Sequence, residues 1–200
     1  MTSRNGQRTA GRIVLAAWVL TTAACTAGPP AESLPVLPLG GDFRLTDHDN
    51  RPFELASLRG KVVLIFFGYS SCPDACPTTL SKLSTVSKQL GDDRARVKTL
   101  YVSVDPGRDS PEVLKADLQN FRLDAVGLTG TKAEIDAVVA QFGASYEIVP
   151  TPDSASQYTV AHTTWVYALD PAGRVRIRFA YDASVDEIVQ GIRAILTEGA

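Results

Sequence analysis

Two proline-flanked cysteines lie in the segment GYSSCPDACPTTL, residues 68–80. Three residues separate Cys72 from Cys76, and the segment directly follows the apolar run VVLIFF, residues 62–67. Thiols so placed suit disulfide exchange or the binding of a soft metal ion. A structural disulfide and a plain buried turn are the alternatives. We favour a functional loop, because a rigid loop between a buried strand and a helix is a poor place for inert core cysteines.

A helix is predicted directly after the cysteines, from about residue 77 to residue 90, because its apolar residues repeat at helical spacing. They are Leu80, Leu83, Val86 and Leu90. Proline favours the first helical position, so Pro77 predicts Cys76 at the N-cap. The backbone N–H groups and the dipole at a helix start favour a thiolate there.

The rest of the chain alternates predicted strands with predicted helices. A hairpin is expected in DFRLT and FEL, around the turn-rich DHDNRP. Further strands are predicted at residues 62–67, 97–104, 125–129, 159–169 and 174–181. Helix starts are indicated by Ser110 with Pro111, Thr131 with Glu134, and Ser184 with Glu187. This order predicts an α/β thioredoxin-like sandwich with a central mixed sheet, an N-terminal hairpin and a C-terminal helix. In such folds functional loops lie at the carboxyl ends of strands, where the cysteines fall.

A third metal ligand has few candidates in this chain. Its one methionine is Met1, which is lost with an export signal, and its histidines are His48 and His162. His48 lies in a polar turn and is predicted to be solvated. His162 lies at the start of an apolar strand, where a lone histidine is more often a hydrogen-bonded strand-end residue. Two thiolates that need a third ligand reverse this preference and predict a three-coordinate site suited to copper or zinc.

The N-terminus is predicted to be an export segment, residues 1–25. Arg4, Arg8 and Arg12 precede the apolar run 13–24, which is shorter than a bilayer span, and Cys25 follows two alanines. This pattern resembles a bacterial lipoprotein cleavage site, with Cys25 lipidated. An ordinary secretory signal, an uncleaved anchor and an organelle transit peptide are the alternatives.

Two further segments complete the predicted organisation. Residues 26–41 contain four prolines and predict an extended tether without a core contribution. Residues 42–200 form the predicted domain. The formal net charge of −2 gives no electrostatic argument for binding nucleic acid.

Four motifs together resemble the Sco/SenC family of copper-binding assembly factors. They are the cysteine segment at residues 68–80, SVDPGRDSPEVL at 103–114, LTG at 128–130 and YTVAHTTWVYALDPAGR at 158–174. The resemblance covers nearly all of residues 42–197. It implies a thioredoxin-like domain on a membrane tether, on the extracytoplasmic side. It also implies a role in maturing the Cu-A site of cytochrome c oxidase, as copper donor, thiol reductant or both.

The resemblance also implies site residues and partners. Cys72, Cys76 and His162 would bind one copper ion, as Cu(I) or Cu(II), with the cysteines also forming a redox pair. Cytochrome c oxidase subunit II and an upstream copper donor are the implied partners. The family often has Asp directly before this histidine, whereas this chain has Ala161.

The loop DPGRD is expected beside the cysteine loop, because adjacent parallel strands deliver both to one sheet edge. Asp105, Arg108 and Asp109 could shape the site or dock a partner, and a capped turn with a local Asp–Arg pair is an equal alternative. Arg174, Arg176 and Arg178 alternate along a predicted strand, which is typical of a charged edge strand. A partner-docking patch is the minority interpretation.

Two other functional classes fit the cysteines less well. A metal-free thiol–disulfide oxidoreductase would usually carry CxxC and a proline near the active loop, and a peroxiredoxin would have Thr where this chain has Tyr69. A structural zinc module would usually need a fourth ligand, and Asp74 is the candidate carboxylate.

Overall fold

The computed structural model of this chain describes residues 1–2, 33–152 and 156–198. Residues 3–25 of the predicted export segment, which include Cys25, and residues 26–32 of the predicted tether lie outside these described residues. Within the described part, no helix is long and apolar enough to cross a membrane.

Nine strands and four α-helices make up the described part of the chain. The strands are β1 Arg44–Asp47, β2 Pro52–Glu54, β3 Val62–Gly68, β4 Val97–Ser103, β5 Ala125–Thr129, β6 Tyr146–Thr151, β7 Gln157–His162, β8 Val166–Leu169 and β9 Val175–Phe179. The helices are α1 Ala75–Leu90, α2 Pro111–Leu118, α3 Lys132–Gln141 and α4 Val185–Glu198. Short 3-10 helices follow β2 and α1, at Leu55–Leu58 and Gly91–Arg96.

Seven strands form one mixed sheet in the order β2-β1-β5-β4-β3-β8-β9. Strand β4 pairs in parallel with β3 and β5, and the other pairs are antiparallel. Every residue of β3 is buried, as its unbroken apolar run predicts. The parallel pairing places the ends of β3 and β4 at the same edge, so the loops that follow them are neighbours. The predicted mixed sheet with its N-terminal hairpin and C-terminal helix is confirmed.

The predicted N-terminal caps of α2, α3 and α4 are confirmed. The Ser110 side chain accepts a hydrogen bond from the Val113 amide, with proline at the first helical position of α2. Thr131 and Glu134 form a reciprocal capping box at α3. The Ser184 amide donates to the Glu187 carboxylate at 2.7 Å, and the Glu187 amide donates to the Ser184 hydroxyl at 3.2 Å. Such caps depend on residues three apart, so sequence alone reveals them.

The single strand predicted at residues 159–169 is wrong. The chain forms β7, leaves it at Thr163 and enters β8 in the other sheet. The Thr163 amide donates to the Ser145 carbonyl at 2.9 Å, and its hydroxyl accepts from the Ser145 amide at 3.0 Å. The apolar pattern runs unbroken across this change of sheets and therefore hides it. Strand β7 pairs instead with β6, which has no counterpart among the predicted elements.

The described end of the predicted tether contacts the domain. The Leu37 amide donates to the Val175 carbonyl at 2.9 Å, and the Gly40 amide donates to the Gln141 carbonyl at 2.7 Å. Leucines 34, 37 and 39 pack against the core. Residues 34–40 therefore do contribute to the core, because their leucines alternate with prolines along extended chain and bury one side of it.

Strand β9 lies at a sheet edge, as its alternating arginines predict, but Arg176 is not solvated. Its side chain is only 6% exposed and forms ion pairs with Asp170 at 3.2 Å and Glu198 at 2.5 Å. It also donates to the backbone carbonyls of Leu34 and Pro35. The N-terminal segment covers this edge, and sequence spacing gives no sign of that.

Candidate metal and thiol site

Three side chains from two regions of the chain converge at the edge where β3 ends. The Sγ atoms of Cys72 and Cys76 and a ring nitrogen of His162 all lie within 4.8 Å of one another. Cys76 Sγ lies 3.5 Å from His162 Nε2. Cys76 is buried, whereas Cys72 and His162 are partly exposed. The cluster could hold one metal ion and is open to solvent on the Cys72 side.

The helix after the cysteines begins earlier than predicted. Its N-cap is Asp74, so Cys76 lies inside the first turn of α1. The Cys76 amide donates to Cys72 Sγ at 3.4 Å. The free N–H groups of the helix start therefore favour a thiolate at Cys72, not at Cys76 as the proline pattern predicted. The reason is that Pro77 occupies the third helical position, where its missing N–H is equally harmless.

The two thiols consequently differ in acidity. The hydrogen bond from the Cys76 thiol lowers the pKa of Cys72, and this outweighs the partial burial of Cys72. The same interaction with Cys72, and then burial, raises the pKa of Cys76. Cys72 is therefore the more accessible and more acidic thiol, and Cys76 is the buried and less acidic one.

The His162 ring is held by its own strand end. Its Nδ1 lies 3.0 Å from the carbonyl oxygen of Thr163, which can only accept, so Nδ1 carries the proton. The Nε2 lone pair therefore points at the cysteines and is free to bind a metal. The edges of Phe66 and Tyr69 contact the ring at centroid distances of 6.1 and 5.8 Å. A backbone carbonyl thus orients the imidazole, and the position of Ala161 needs no carboxylate for that purpose.

Gly68 ends β3 and makes room for the buried thiol. A Cβ atom at this position would lie 2.7 Å from Cys76 Sγ and 2.7 Å from Cε2 of Tyr101. Both side chains are buried, so a larger residue at this position would displace the sulfur or the ring. Gly68 was not among the predicted site residues, although a glycine between a buried strand and a cysteine loop is a signal for a close approach of the backbone to another group.

Tyr69 connects the cysteine loop to the strand that carries His162. Its hydroxyl accepts a hydrogen bond from the Val160 amide at 3.3 Å and shares a second hydrogen bond with the Thr159 hydroxyl at 2.7 Å. The phenol is almost fully buried. It fixes β7 against the loop, and sequence spacing could not find this contact because ninety residues separate its partners.

The DPGRD loop lies beside the cysteine loop, as expected. Asp109 is fully buried and accepts from the Ser70 amide at 3.0 Å, the Ser70 hydroxyl at 2.5 Å and the Ser103 hydroxyl at 2.6 Å. This carboxylate clamps the start of the cysteine loop to the end of β4. Because Ser70 lies thirty-nine residues from Asp109 in the sequence, these hydrogen bonds do more than close a local turn.

Asp105 and Arg108 form the predicted local ion pair and reach further. Asp105 also accepts from the Tyr158 hydroxyl at 2.9 Å. The Arg108 guanidinium stacks on the Tyr158 ring, 3.7 Å from its centroid, and donates to the Tyr158 carbonyl at 3.1 Å. The pair therefore holds the start of β7, the strand that carries His162.

The family comparison agrees with this geometry. The family model SCO1/SenC matches residues 32–197. This chain belongs to the SCO1/SenC family. The SCO2-like protein RP587 of Rickettsia prowazekii is 36% identical over 152 residues, which cover 76% of this chain and 74% of that protein.

Two solved Sco structures share the fold. ScoI of Bradyrhizobium japonicum with copper bound is 38% identical, with a TM-score of 0.71, and covers 78% of this chain and 98% of that one. BsSco, described as having a disulfide switch and belonging to a family of cytochrome c oxidase assembly proteins, is 25% identical. Its TM-score is 0.65, and it covers 83% of this chain and 99% of that one. The thioredoxin-like fold is confirmed.

Two further candidates stand apart from the cluster in this SCO1/SenC chain. Asp74 is exposed. It does not belong to the cluster of possible metal ligands found among the described residues. His48 is not solvated as predicted, since it is partly buried and its Nδ1 accepts from the Gly127 amide at 2.8 Å. The β5 backbone needs an acceptor there, and the polar sequence of the turn did not reveal it.

Proposed function

We propose that this protein binds one copper ion through Cys72, Cys76 and His162 and assists the assembly of the Cu-A site of cytochrome c oxidase. The observation that carries the proposal is the convergence of two sulfurs and one imidazole nitrogen within 4.8 Å. An upstream copper donor would load the site, and subunit II of the oxidase would receive the ion. Family membership and the copper-bound ScoI relative support this direction.

The donor set fits copper better than structural zinc. Thiolates select Cu(I), and a neutral imidazole nitrogen suits both copper states. Structural zinc sites almost always have four ligands, and the cluster in the described residues has three. Three ligands leave the ion accessible for transfer. The partly exposed Cys72 is placed to meet the incoming ion first, and Cys76 must release its proton to bind.

Disulfide exchange is the second candidate function, and the unequal cysteines favour it. The Cys72 thiolate could attack a disulfide in a target and release one target thiolate. The Cys76 thiol, on losing its proton, would then attack the Cys72 sulfur. A Cys72–Cys76 disulfide would form and the second target thiolate would leave, so two electrons pass to the target. The intramolecular disulfide would exclude copper, because thiolate is the required ligand.

The test is a set of spectra of the purified full chain and its variants with one equivalent of copper. Cys72→Ser or Cys76→Ser should impair binding of both copper states. His162→Ala should retain weaker Cu(I) binding and change or lose the sulfur-to-Cu(II) charge-transfer band, because Cu(II) prefers nitrogen donors. His48→Ala is the matched control and should change neither. An unchanged Cu(II) spectrum in His162→Ala would remove this residue from the site and favour the metal-free oxidoreductase.

Membrane attachment belongs to the same proposal. We infer that residues 1–25 direct export, that Cys25 carries a lipid, and that residues 26–33 hold the domain near the extracytoplasmic membrane surface. Mass spectrometry of the mature N-terminus tests the anchor. A free amino group at any residue other than Cys25 would refute lipidation and leave export standing.

A further inference from the structure

The hydroxyl of Tyr101 is buried at the base of the thiol site without a hydrogen bond. Tyr101 is 0% exposed, and its hydroxyl oxygen has no hydrogen-bond partner among the described residues. Its ring stacks on Phe66, the facing residue of β3, at a centroid distance of 6.0 Å. A buried donor without a partner is energetically unfavourable, and such groups normally form a hydrogen bond in the functional state.

The position of Gly68 shows where this phenol lies. The point where a Gly68 Cβ would stand is 2.7 Å from Cys76 Sγ and equally far from Tyr101 Cε2, the ring atom next to the hydroxyl-bearing carbon. The buried thiol and the hydroxyl end of the ring therefore approach each other across the glycine.

We propose that Tyr101 is a positioning residue that donates an O–H···S hydrogen bond to the Cys76 thiolate when the site holds copper. This inference rests on the proposed function. Copper binds cysteine as a thiolate, so the buried Tyr101 hydroxyl, which has no hydrogen-bond partner among the described residues, would then gain a charged acceptor. The bond would hold Sγ in place for the ion and lower the energy of its lone pairs.

The chain offers a matched control for this bond. Tyr167 is also 0% exposed and its hydroxyl also has no hydrogen-bond partner among the described residues. Its ring contacts Phe67, Phe142 and Trp165 instead of the cysteines. Tyr101→Phe and Tyr167→Phe each remove one buried, unpaired oxygen, so they differ only in the neighbourhood of Cys76.

The experiment compares the full chain and both variants by Cu(I) competition titration, by the Cu(II) spectrum and by thermal unfolding without metal. We expect Tyr101→Phe to weaken Cu(I) binding on the order of 5- to 10-fold, the usual worth of one hydrogen bond. The charge-transfer band should move to longer wavelength, because the sulfur lone pairs rise in energy. Tyr167→Phe should change neither, and both metal-free variants should unfold at or above the wild-type temperature.

The possible outcomes distinguish a failure of the Tyr101 inference from a failure of the proposed copper-binding function. If the wild type binds copper and both variants match it, the Tyr101 inference alone is overturned. The same holds if both variants change the spectrum alike. If metal-free Tyr101→Phe is strongly destabilised, the hydroxyl already has a partner and the inference is again wrong. A wild type that binds no copper overturns the proposed function and the inference together.

Discussion

Asp109 and Asp170 are two buried carboxylates that each accept several hydrogen bonds but connect different parts of the fold. Asp170, 3% exposed, accepts from the backbone amides of Ala172 and Arg174, both at 3.0 Å, and pairs with the Arg174 guanidinium at 2.7 Å. Arg176 also pairs with it at 3.2 Å, so these partners all lie within six residues and belong to the β8–β9 hairpin. Asp109 instead accepts from Ser70, thirty-nine residues away, and so joins two loops.

One buried carboxylate supports only the fold, whereas the other also supports the candidate metal site. Both carboxylates are fully hydrogen-bonded, as buried charges must be. Removing either one leaves donors unsatisfied and should destabilise the fold by a similar amount. Of the two, only Asp109 contacts the loop that carries the cysteines, so only its removal should weaken metal binding.

The largest expected effect is that of Asp109→Ala. It should lower the free energy of unfolding by about 3 kcal/mol, because buried donors of Ser70 and Ser103 lose their acceptor. Cu(I) affinity should also fall at least tenfold, since the start of the cysteine loop is released. Chemical unfolding and competition titration measure the two effects.

Asp170→Ala is the matched control for that variant. It should cost a similar amount of stability, because it leaves the buried Arg176 short of a partner. Its copper affinity should equal that of the wild type. Equal loss of affinity in both variants would mean that stability alone governs the site, and the distinction between the two carboxylates would be wrong.

A smaller effect is expected from Gly68→Ala, which tests the floor of the site. Its Cβ would overlap Cys76 Sγ, so we expect a loss of about 1–3 kcal/mol, the usual cost of overpacking, together with an altered Cu(II) spectrum. Gly107→Ala in the DPGRD loop is the control, because the nearest atom to its Cβ is 3.8 Å away. A wild-type spectrum for Gly68→Ala would show that the sulfur can move without consequence.

The smallest effect concerns Asp117, whose pKa is raised to about 6, first by burial and then by the charge of Asp109. A raised pKa means that the folded state disfavours the carboxylate. The resulting destabilisation is absent below the unfolded pKa of about 4 and fully present above about 6. Asp117→Asn should therefore stabilise the protein by about 1 kcal/mol at pH 7, after allowance for solvent screening, and by nothing at pH 4.

Unfolding curves at the two pH values check this prediction. Combining Asp117→Asn with Asp109→Asn should shrink the gain at pH 7, because the repelling charge is then gone. A gain of the same size at both pH values would assign the effect to something other than ionisation.

Local patterns predicted much of this fold correctly. The buried run 62–67 gave β3, and the capping pairs at Ser110, Thr131 and Ser184 gave three helix starts. The cysteine helix was found but begins at Ala75 with Asp74 as its N-cap, because proline tolerates several positions in the first turn. The strand break at Thr163 was not predicted, because an apolar pattern does not show which sheet a strand joins.

Sequence by itself determined the order of elements, the two cysteines after β3 and the choice of His162 over His48. Those features depend on residues near one another in the chain, or on how few ligand types the chain offers. Only the tertiary structure decided which thiol is the more acidic, what orients His162, and that Gly68, Tyr69, Tyr101 and Asp109 surround the site. These contacts join residues dozens of positions apart, and the register of β3 and β4 and the exit of β7 from its hairpin bring them together.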